Sequence, residues 1–414
     1  MLIDGTPYRT MWPAADGSSV CLIDQRHLPF NLVIETVGDW RAMATAIRDM
    51  HLRGAPLIGV AAAYGVWLAC LEYANRPPAT FAAALEVALA GLLAARPTAV
   101  NLHWALATQR RALAAFLPAA PGSAGVNAGT AASATTADNA LAVRLSRALA
   151  DALAEQDVAI CAALGRHGAD WLERLAAGIG DRPLRILTHC NAGWLATVDH
   201  GTATAPLYEA ARRGLRLEVW VDETRPRNQG ALTAWELSQN GIANTVICDN
   251  SGGHLMQQGL VDAVIVGTDR TARNGDVANK IGTYLKALAA RDNGLPFYVA
   301  LPSPSFDATL ASGVGRIPIE ERDPSEVLTV RGRHLVDGAA GADVAGVDVA
   351  LASIGLYAPG TRAANYAFDV TPARLVDGYI TEYGVFTADQ LADQLADPLP
   401  SQPLGKRPGA VDAD

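Results

Sequence analysis

The sequence predicts an α/β protein. A mainly helical N-terminal domain with a small β unit comes first, and a Rossmann-like doubly wound parallel-sheet domain follows. Two observations carry this. From Trp40 to about Leu117 the chain is rich in Ala and Leu and mostly helix-forming. Beyond residue 184, short apolar β-prone runs alternate with helix-capable segments, the pattern of a parallel sheet covered on both faces. A chain of 414 residues is long enough for two or more domains. The expected boundaries are 1–150 for the helical domain, 151–398 for the Rossmann-like domain and 399–414 for a disordered tail.

Taken in order, the segment up to about Phe30 carries Gly-Thr-Pro and Asp-Gly turn signals between short β-prone runs and reads as a small antiparallel unit. Gly54 to Leu71 has no charged residue; it contains Pro56 and several small residues, and a buried core helix fits it better than a membrane span. Residues 118–137 are Ala, Gly, Ser, Thr and Pro with almost no charge, a flexible insert. Helix resumes near Asn139 and passes Trp171. Strands are then expected at Ile186-Leu187, Leu217–Val221, Thr245–Cys248, Ala263–Val266 and Pro296–Ala300. The helices between them are expected at Ala205–Arg213, Ala231–Asn240, His254–Gly259 and Lys280–Ala290. Arg331 to Ala363 reads as an elaborated Gly- and Ala-rich loop, and from Leu399 onward Pro, Gly and Asp dominate.

Composition narrows the function. A net charge of −9 argues against general affinity for nucleic acid or anionic membrane, so an anionic ligand must be held by a local site. The five cysteines are scattered and never spaced C-x-x-C, which argues against a disulfide framework or a zinc site and suits a cytoplasmic protein. No signal peptide pattern opens the sequence. No G-x-G-x-x-G follows a first strand, so a dinucleotide is not supported, and no G-x-S-x-G elbow appears. His103, His189 and His254 lack metal-cluster spacing and read as structural.

The candidate chemistry lies at strand ends, where open α/β sheets bind ligands. Thr188-His-Cys-Asn-Ala-Gly follows one strand and places Cys190 near a helix start, which would lower its pKa; a buried apolar cysteine is the other reading of the same position. Ala263-Val-Ile-Val-Gly-Thr-Asp ends on Asp269, whose carboxyl beside apolar walls would hold its proton and serve as a general acid. Arg53-Gly-Ala-Pro opens the charge-free helix, and its free N–H groups plus Arg53 make an anion site. Arg96 stands at a second element boundary. Asp222-Glu-Thr-Arg-Pro-Arg-Asn-Gln gathers carboxylates, arginines and Gln229 at another strand end, and Asp249-Asn-Ser-Gly is a further candidate wall. Of 33 basic residues only Lys280, Lys286 and Lys406 are lysine, which draws attention to Asn279-Lys280, a compact charge suited to phosphate.

In order, Arg53-Gly-Ala-Pro, Arg96-Pro-Thr-Ala-Val-Asn-Leu, Thr188-His-Cys-Asn-Ala-Gly, Asp222-Glu-Thr-Arg-Pro, Gly267-Thr-Asp-Arg, Asn274-Gly-Asp, Asn279-Lys-Ile-Gly-Thr, Ala367-Phe-Asp-Val-Thr-Pro and Ile380-Thr-Glu-Tyr-Gly resemble the aldose-ketose isomerase family that acts on methylthioribose 1-phosphate and is related to translation-initiation regulatory subunits. The resemblance implies a homodimer in methionine salvage, acting on a sugar phosphate with no cofactor and no metal. It implies that Cys190 and Asp269 are catalytic. It implies substrate contacts from Arg53, Gly54, Ala55, Arg96, Gln229, Asn279 and Lys280. Two alternatives stay open: another pentose 1-phosphate as substrate (5-deoxyribose 1-phosphate or ribose 1,5-bisphosphate), and a non-catalytic regulatory binding subunit.

Overall fold

The structure, a computed structural model, describes residues 1–117, 136–333 and 351–395. The expected insert at 118–137 and tail at 399–414 lie almost wholly outside the described residues. The chain opens with two short strands, β1 (Leu2–Ile3) and β2 (Thr6–Pro7), which pair antiparallel. A second antiparallel unit follows, from β3 (Met11–Pro13), β4 (Val20–Ile23) and β5 (Ile34–Val37), one strand longer than the sequence suggested.

Four helices come next: α1 (Trp40–Arg48), α2 (Ala55–Tyr73), α3 (Pro78–Ala95) and α4 (Val100–Ala112). Asp39 caps α1 by accepting from the backbone N–H groups of Arg41 and Ala42, and Pro56 sits in the first turn of α2. Apart from Glu72 in its exposed last turn, α2 carries no charge and is buried from Leu57 to Cys70, as expected; α1, α3, α4 and the next helix pack round it. Apolar side chains all round a helix are stable only when neighbours cover every face. Like α2, α3 is long and apolar enough to cross a membrane, but it buries only Phe81, Leu85, Ala88, Leu89 and Leu92.

The long helix α5 (Thr136–Ala177) joins the two bodies. Its first half gives Ala142, Ala150, Leu153 and Ala154 to the helical core, and its second half gives Leu164, Ala169, Trp171 and Leu172 to the core under the sheet. The boundary drawn at 150/151 therefore falls inside one continuous helix.

The sheet domain alternates as expected: β6 (Leu184–Thr188), α6 (Ala205–Arg212), β7 (Leu217–Asp222), α7 (Gly230–Gln239), β8 (Ala243–Ile247), α8 (Gly252–Gln257) and β9 (Ala263–Val266). A departure follows. β10 (Arg270–Ala272) and β11 (Val277–Lys280) form a hairpin around the Asn274-Gly275 turn, and α9 (Thr283–Asp292) starts only after it. Lys280 is thus the last residue of a strand, where the sequence suggested the first turn of a helix. Then come β12 (Phe297–Ala300), β13 (Phe306–Asp307), α10 (Ser325–Leu328), β14 (Thr329–Arg333), β15 (Leu351–Gly355), β16 (Phe368–Thr371), β17 (Gly378–Thr381), β18 (Gly384–Phe386) and α11 (Ala388–Leu395). The stretch read as one loop from Arg331 to Ala363 includes most of an antiparallel pair, β14 with β15.

The main sheet has the order β18-β17-β12-β9-β6-β7-β8, parallel except for β18 at its edge. Strand side chains alternate between its two faces. Ile186, Ala263 and Ile265 meet α5, α6 and α7, while Leu187, Val264 and Val266 meet α8, α9 and α11. Chain order reverses direction between β6 and β9, the topological switch point at which such sheets hold ligands. A second sheet, β13-β10-β11-β16, stands beyond the ends of these strands and closes the crevice.

Asp157, in the middle of α5, accepts from the backbone N–H of Val198 at 2.7 Å and so ties the helix to the loop after β6. Burial pushes its carboxyl up from 3.8 to about 7. Between those values the folded state holds a proton that the unfolded state has released, so stability falls as pH rises and the loss is complete above about 7. Asp157→Asn keeps an acceptor for Val198. It is expected to flatten that slope and to raise stability at pH 8 by on the order of a few kcal/mol, measured by urea unfolding across the pH range.

Candidate active site

The residue that follows a parallel strand must leave the sheet plane, and at the switch point two such exits face each other. Cys190 lies two residues beyond β6 and Asp269 three beyond β9. The Thr188 hydroxyl donates to the Ile265 carbonyl at 2.8 Å and ties the two strand ends together. Cys190 has φ 69, a left-handed conformation. Both its backbone groups are held: its N–H donates to the Thr224 hydroxyl at 2.9 Å, and its carbonyl accepts from the Thr233 hydroxyl at 2.8 Å. Asp269 is fixed by its N–H, which donates to the Ala278 carbonyl at 3.0 Å across the β10–β11 hairpin.

All nine residues singled out from the sequence line one cavity: Arg53, Gly54, Ala55, Arg96, Cys190, Gln229, Asp269, Asn279 and Lys280. The cavity holds about 70 Å3, below the ~300–1,000 Å3 usual for small-molecule sites. It opens past Met50, Arg53 and Gln229 into a wider cleft of about 410 Å3.

Each cation arrives by a different route. Arg53 precedes α2, and Gly54 between them has φ 106, reserved for glycine. The close neighbour that demands glycine is the protein itself: a Cβ on Gly54 would lie 2.2 Å from the Ala196 carbonyl oxygen. Arg96 ends α3, and one of its terminal nitrogens pairs with Glu320 at 3.0 Å. Lys280 ends β11 with its ammonium 4.8 Å from the centre of the Phe368 ring. Neither Arg53 nor Lys280 has an ion-pair partner among the described residues, and the Asp269 carboxyl makes no hydrogen bond among them. The Asn279 amide donates to the Thr283 hydroxyl at 3.1 Å, and the buried side-chain oxygen Oε1 of Gln229 has no partner among the described residues.

Enclosure sets the electrostatics. Burial pushes the Cys190 thiol up, against the lowering pull of Lys280 and Arg53. This overturns the expectation of a depressed thiol. The chain after Cys190 runs through a loop and one 3-10 turn (Trp194–Ala196), and α6 begins only at Ala205, so the segment that follows Cys190 supplies no helix start of its own. Burial likewise pushes the Asp269 carboxyl up, opposed by Lys280 and Arg96. It pushes the Lys280 ammonium down and the Arg53 guanidinium down to about 10.

Several sequence candidates lie elsewhere. Asp222 turns under the crevice to His189 and Lys286. Arg225 donates to the carbonyls of Val327 and Thr329, Arg227 pairs with Glu326, and Asp249 accepts from the N–H groups of Thr224 and Arg225. These residues are consumed in holding loops, so the Asp249-Asn-Ser-Gly segment is no wall of the cavity. Conversely, Met50, Arg322 and Phe368 line it without having been singled out. Phe368 lies within the Ala367-Phe-Asp-Val-Thr-Pro motif and was there to be found. Arg322 sits in an ordinary charged run and gave no signal.

A helical body set on a Rossmann-order sheet, with a cation-lined crevice at the switch point, defines an α/β protein built to hold a small anion beside a thiol and a carboxylic acid. Residues 51–388 match the Initiation factor 2 subunit family, and the chain belongs to it. It is 52% identical over 394 residues to the methylthioribose-1-phosphate isomerase of Rhodospirillum rubrum, covering 94% of this chain and 91% of that one. Among solved structures it resembles the 5-methylthioribose 1-phosphate isomerase of Pyrococcus horikoshii OT3, with a TM-score of 0.73, 36% identity and coverage of 94% and 96% of the two chains. It also resembles subunit delta of translation initiation factor eIF-2B from A. fulgidus, with a TM-score of 0.71, 32% identity and coverage of 94% and 100%.

Gly54→Ala is expected to cost roughly 2 kcal/mol or more, because the new methyl meets backbone that cannot yield. Ligand turnover is expected to fall about 10²-fold through displacement of Arg53. Thermal unfolding and an activity assay on the same preparation check both.

Proposed function

We propose that this chain is an aldose-ketose isomerase that converts 5-methylthioribose 1-phosphate to 5-methylthioribulose 1-phosphate, the methionine-salvage step. The observation that carries the reading is the single cavity in which Cys190 and Asp269 meet Arg53, Arg96 and Lys280. The identity to named isomerases over nearly the whole chain supports it. A regulatory binding subunit has no use for a half-buried thiol and a half-buried carboxylic acid facing the same cations.

The substrate's C1 phosphate locks the furanose ring. Asp269, kept protonated by enclosure, donates to the ring oxygen, and the C1–O bond breaks with its electron pair going to that oxygen. The hydrogen on C2 passes to C1, and the C2 hydroxyl releases its proton as the ketone forms, so the proton given by Asp269 is recovered. In a proton route Cys190, having released its own proton to solvent before the sugar enters, takes the C2 hydrogen as a proton and returns it to C1; in a hydride route the thiol stays intact and stabilises charge as the hydrogen moves. Arg53, Arg96 and Lys280, with free N–H groups at the start of α2, hold the phosphate and fix the sugar. Gln229 and Asn279 complete the contacts.

We also propose that the chain is a homodimer. The exposed apolar side chains of Val246 on the edge strand β8 and of Leu285 and Leu288 on α9 support it. Native mass measurement is expected to give twice 43.3 kDa.

The deciding experiment is turnover by the purified chain on 5-methylthioribose 1-phosphate, 5-deoxyribose 1-phosphate and ribose 1,5-bisphosphate. The first is expected to give the highest kcat/KM; no turnover of any, with binding retained, would sink the enzymatic reading. Cys190→Ser and Asp269→Asn are each expected to lower kcat by about 10²–10⁴-fold with little change in KM. Lys280→Gln is expected chiefly to raise KM. Because Asp269 works as an acid with a raised pKa, kcat is expected to decline as pH rises through that pKa. Deuterium from solvent in the product marks the proton route; its absence marks hydride transfer.

A further inference from the structure

Directly beneath the crevice lies a buried charge cluster that the reaction above does not use. His189, whose side chain is fully enclosed, places Nδ1 2.8 Å from Asp222 Oδ2 and Nε2 2.8 Å from the Ile281 carbonyl oxygen. The Lys286 ammonium forms an ion pair with Asp222 Oδ2 at 3.1 Å and donates to the Asp249 carbonyl. The Asp249 carboxylate stands 3.9 Å from Nδ1 on the far side. Three potential metal ligands, His189, Asp222 and Asp249, converge here, but an ammonium already supplies the cluster's positive charge.

The oxygens facing the two ring nitrogens both act as acceptors. A carbonyl has no proton to give, and Asp222 Oδ2 is ion-paired with the Lys286 ammonium. Each ring nitrogen of His189 thus has an oxygen at hydrogen-bonding distance, one end anchored in the cluster and the other on the Ile281 carbonyl. The neighbours in sequence make this matter: His189 precedes Cys190, and Ile281 follows Lys280. Across this bridge the chain is held from the other side too, because the Asp369 carboxylate accepts from the N–H groups of Gly282 at 2.7 Å and Tyr284 at 3.1 Å. Gly282 has φ 104, and a Cβ there would lie 3.1 Å from the His189 ring, so the turn is closed down on the imidazole.

We propose that His189 is a positioning residue: its two-ended bridge from Asp222 to the Ile281 carbonyl sets the spacing between the Cys190 thiol and the Lys280 ammonium. The inference rests on the isomerase reading for its kinetic consequence, but its structural consequence is readable without substrate.

Two isosteres separate the ends of the bridge. The amide nitrogen of Gln superposes on Nε2 and keeps the bond to Ile281; that of Asn superposes on Nδ1 and keeps only the anchor to Asp222. His189→Asn is expected to lower kcat/KM about 10²-fold, with kcat falling and KM rising together, since thiol and ammonium lose register. His189→Gln is expected to stay within about tenfold of the parent. The rate of Cys190 alkylation by iodoacetamide, followed on its own peptide by mass spectrometry, is expected to rise at least threefold in the Asn variant only. A folded Asn variant with parental kinetics and alkylation overturns the proposal. So do Asn and Gln variants that are impaired alike, which is the behaviour of a group needed only for stability. If the parent itself turns over none of the sugar phosphates, the functional reading fails while the alkylation contrast still decides the role of His189.

Discussion

Burying a cation without a counter-ion is among the more costly things a fold does, and this one does it twice in the same cavity. Arg53 and Lys280 stand in a crevice that depresses both, with no carboxylate paired to either among the described residues. Such an arrangement persists only if the surrounding structure is over-determined. Here it is: α2, which begins two residues after Arg53, is buried along nearly its whole length, and β11, which carries Lys280, is paired on both sides, to β10 and β16. The helical body and the second sheet can be seen as two rigid mounts, each holding a positive charge over the switch point of the main sheet.

The main sheet was legible in the sequence because its information is local. Each of β6, β7, β9 and β12 is a short apolar run bounded by turn residues, and strands buried on both faces have that appearance wherever they lie. The second sheet was illegible for the opposite reason. Val277 to Lys280 forms a strand because it pairs with Phe368–Thr371, some ninety residues away, and nothing in Val-Ala-Asn-Lys announces that partner. A helix beginning at Lys280 was the natural local reading, and a long-range pairing displaced it by three residues. The same limit explains Arg322, which lines the cavity and whose backbone N–H donates to the Asn365 carbonyl far along the chain.

The site residues were found through their places at strand ends and through motifs, but the physical state of one was misjudged. Cys190 was expected to be acidified by a helix start. The segment from Asn191 to Thr204 instead packs as a loop, pinned by Glu236 at the Leu195 N–H, by Asp157 at the Val198 N–H and by Gln25 at the Leu195 carbonyl. A loop this constrained gives the sulfur a fixed position without ending in a helix start at Cys190. Position and pKa are separate properties, and local sequence spoke to the first alone.

The direction of all four shifts in the cavity has one common consequence. Enclosure favours the neutral form of every group: thiol over thiolate, carboxylic acid over carboxylate, and weaker cations. A phosphate dianion entering this space adds negative charge beside each of them. It pairs with cations that have no carboxylate partner among the described residues, and by like-charge repulsion it holds the proton on Asp269 more tightly. In the proposed reaction the phosphate is therefore a handle for the sugar and also the group that keeps the acid charged with its proton until the ring oxygen takes it. An unphosphorylated sugar of the same shape would lose its anchor and meet a less reliably protonated acid, so one missing group would be felt in binding and in chemistry together.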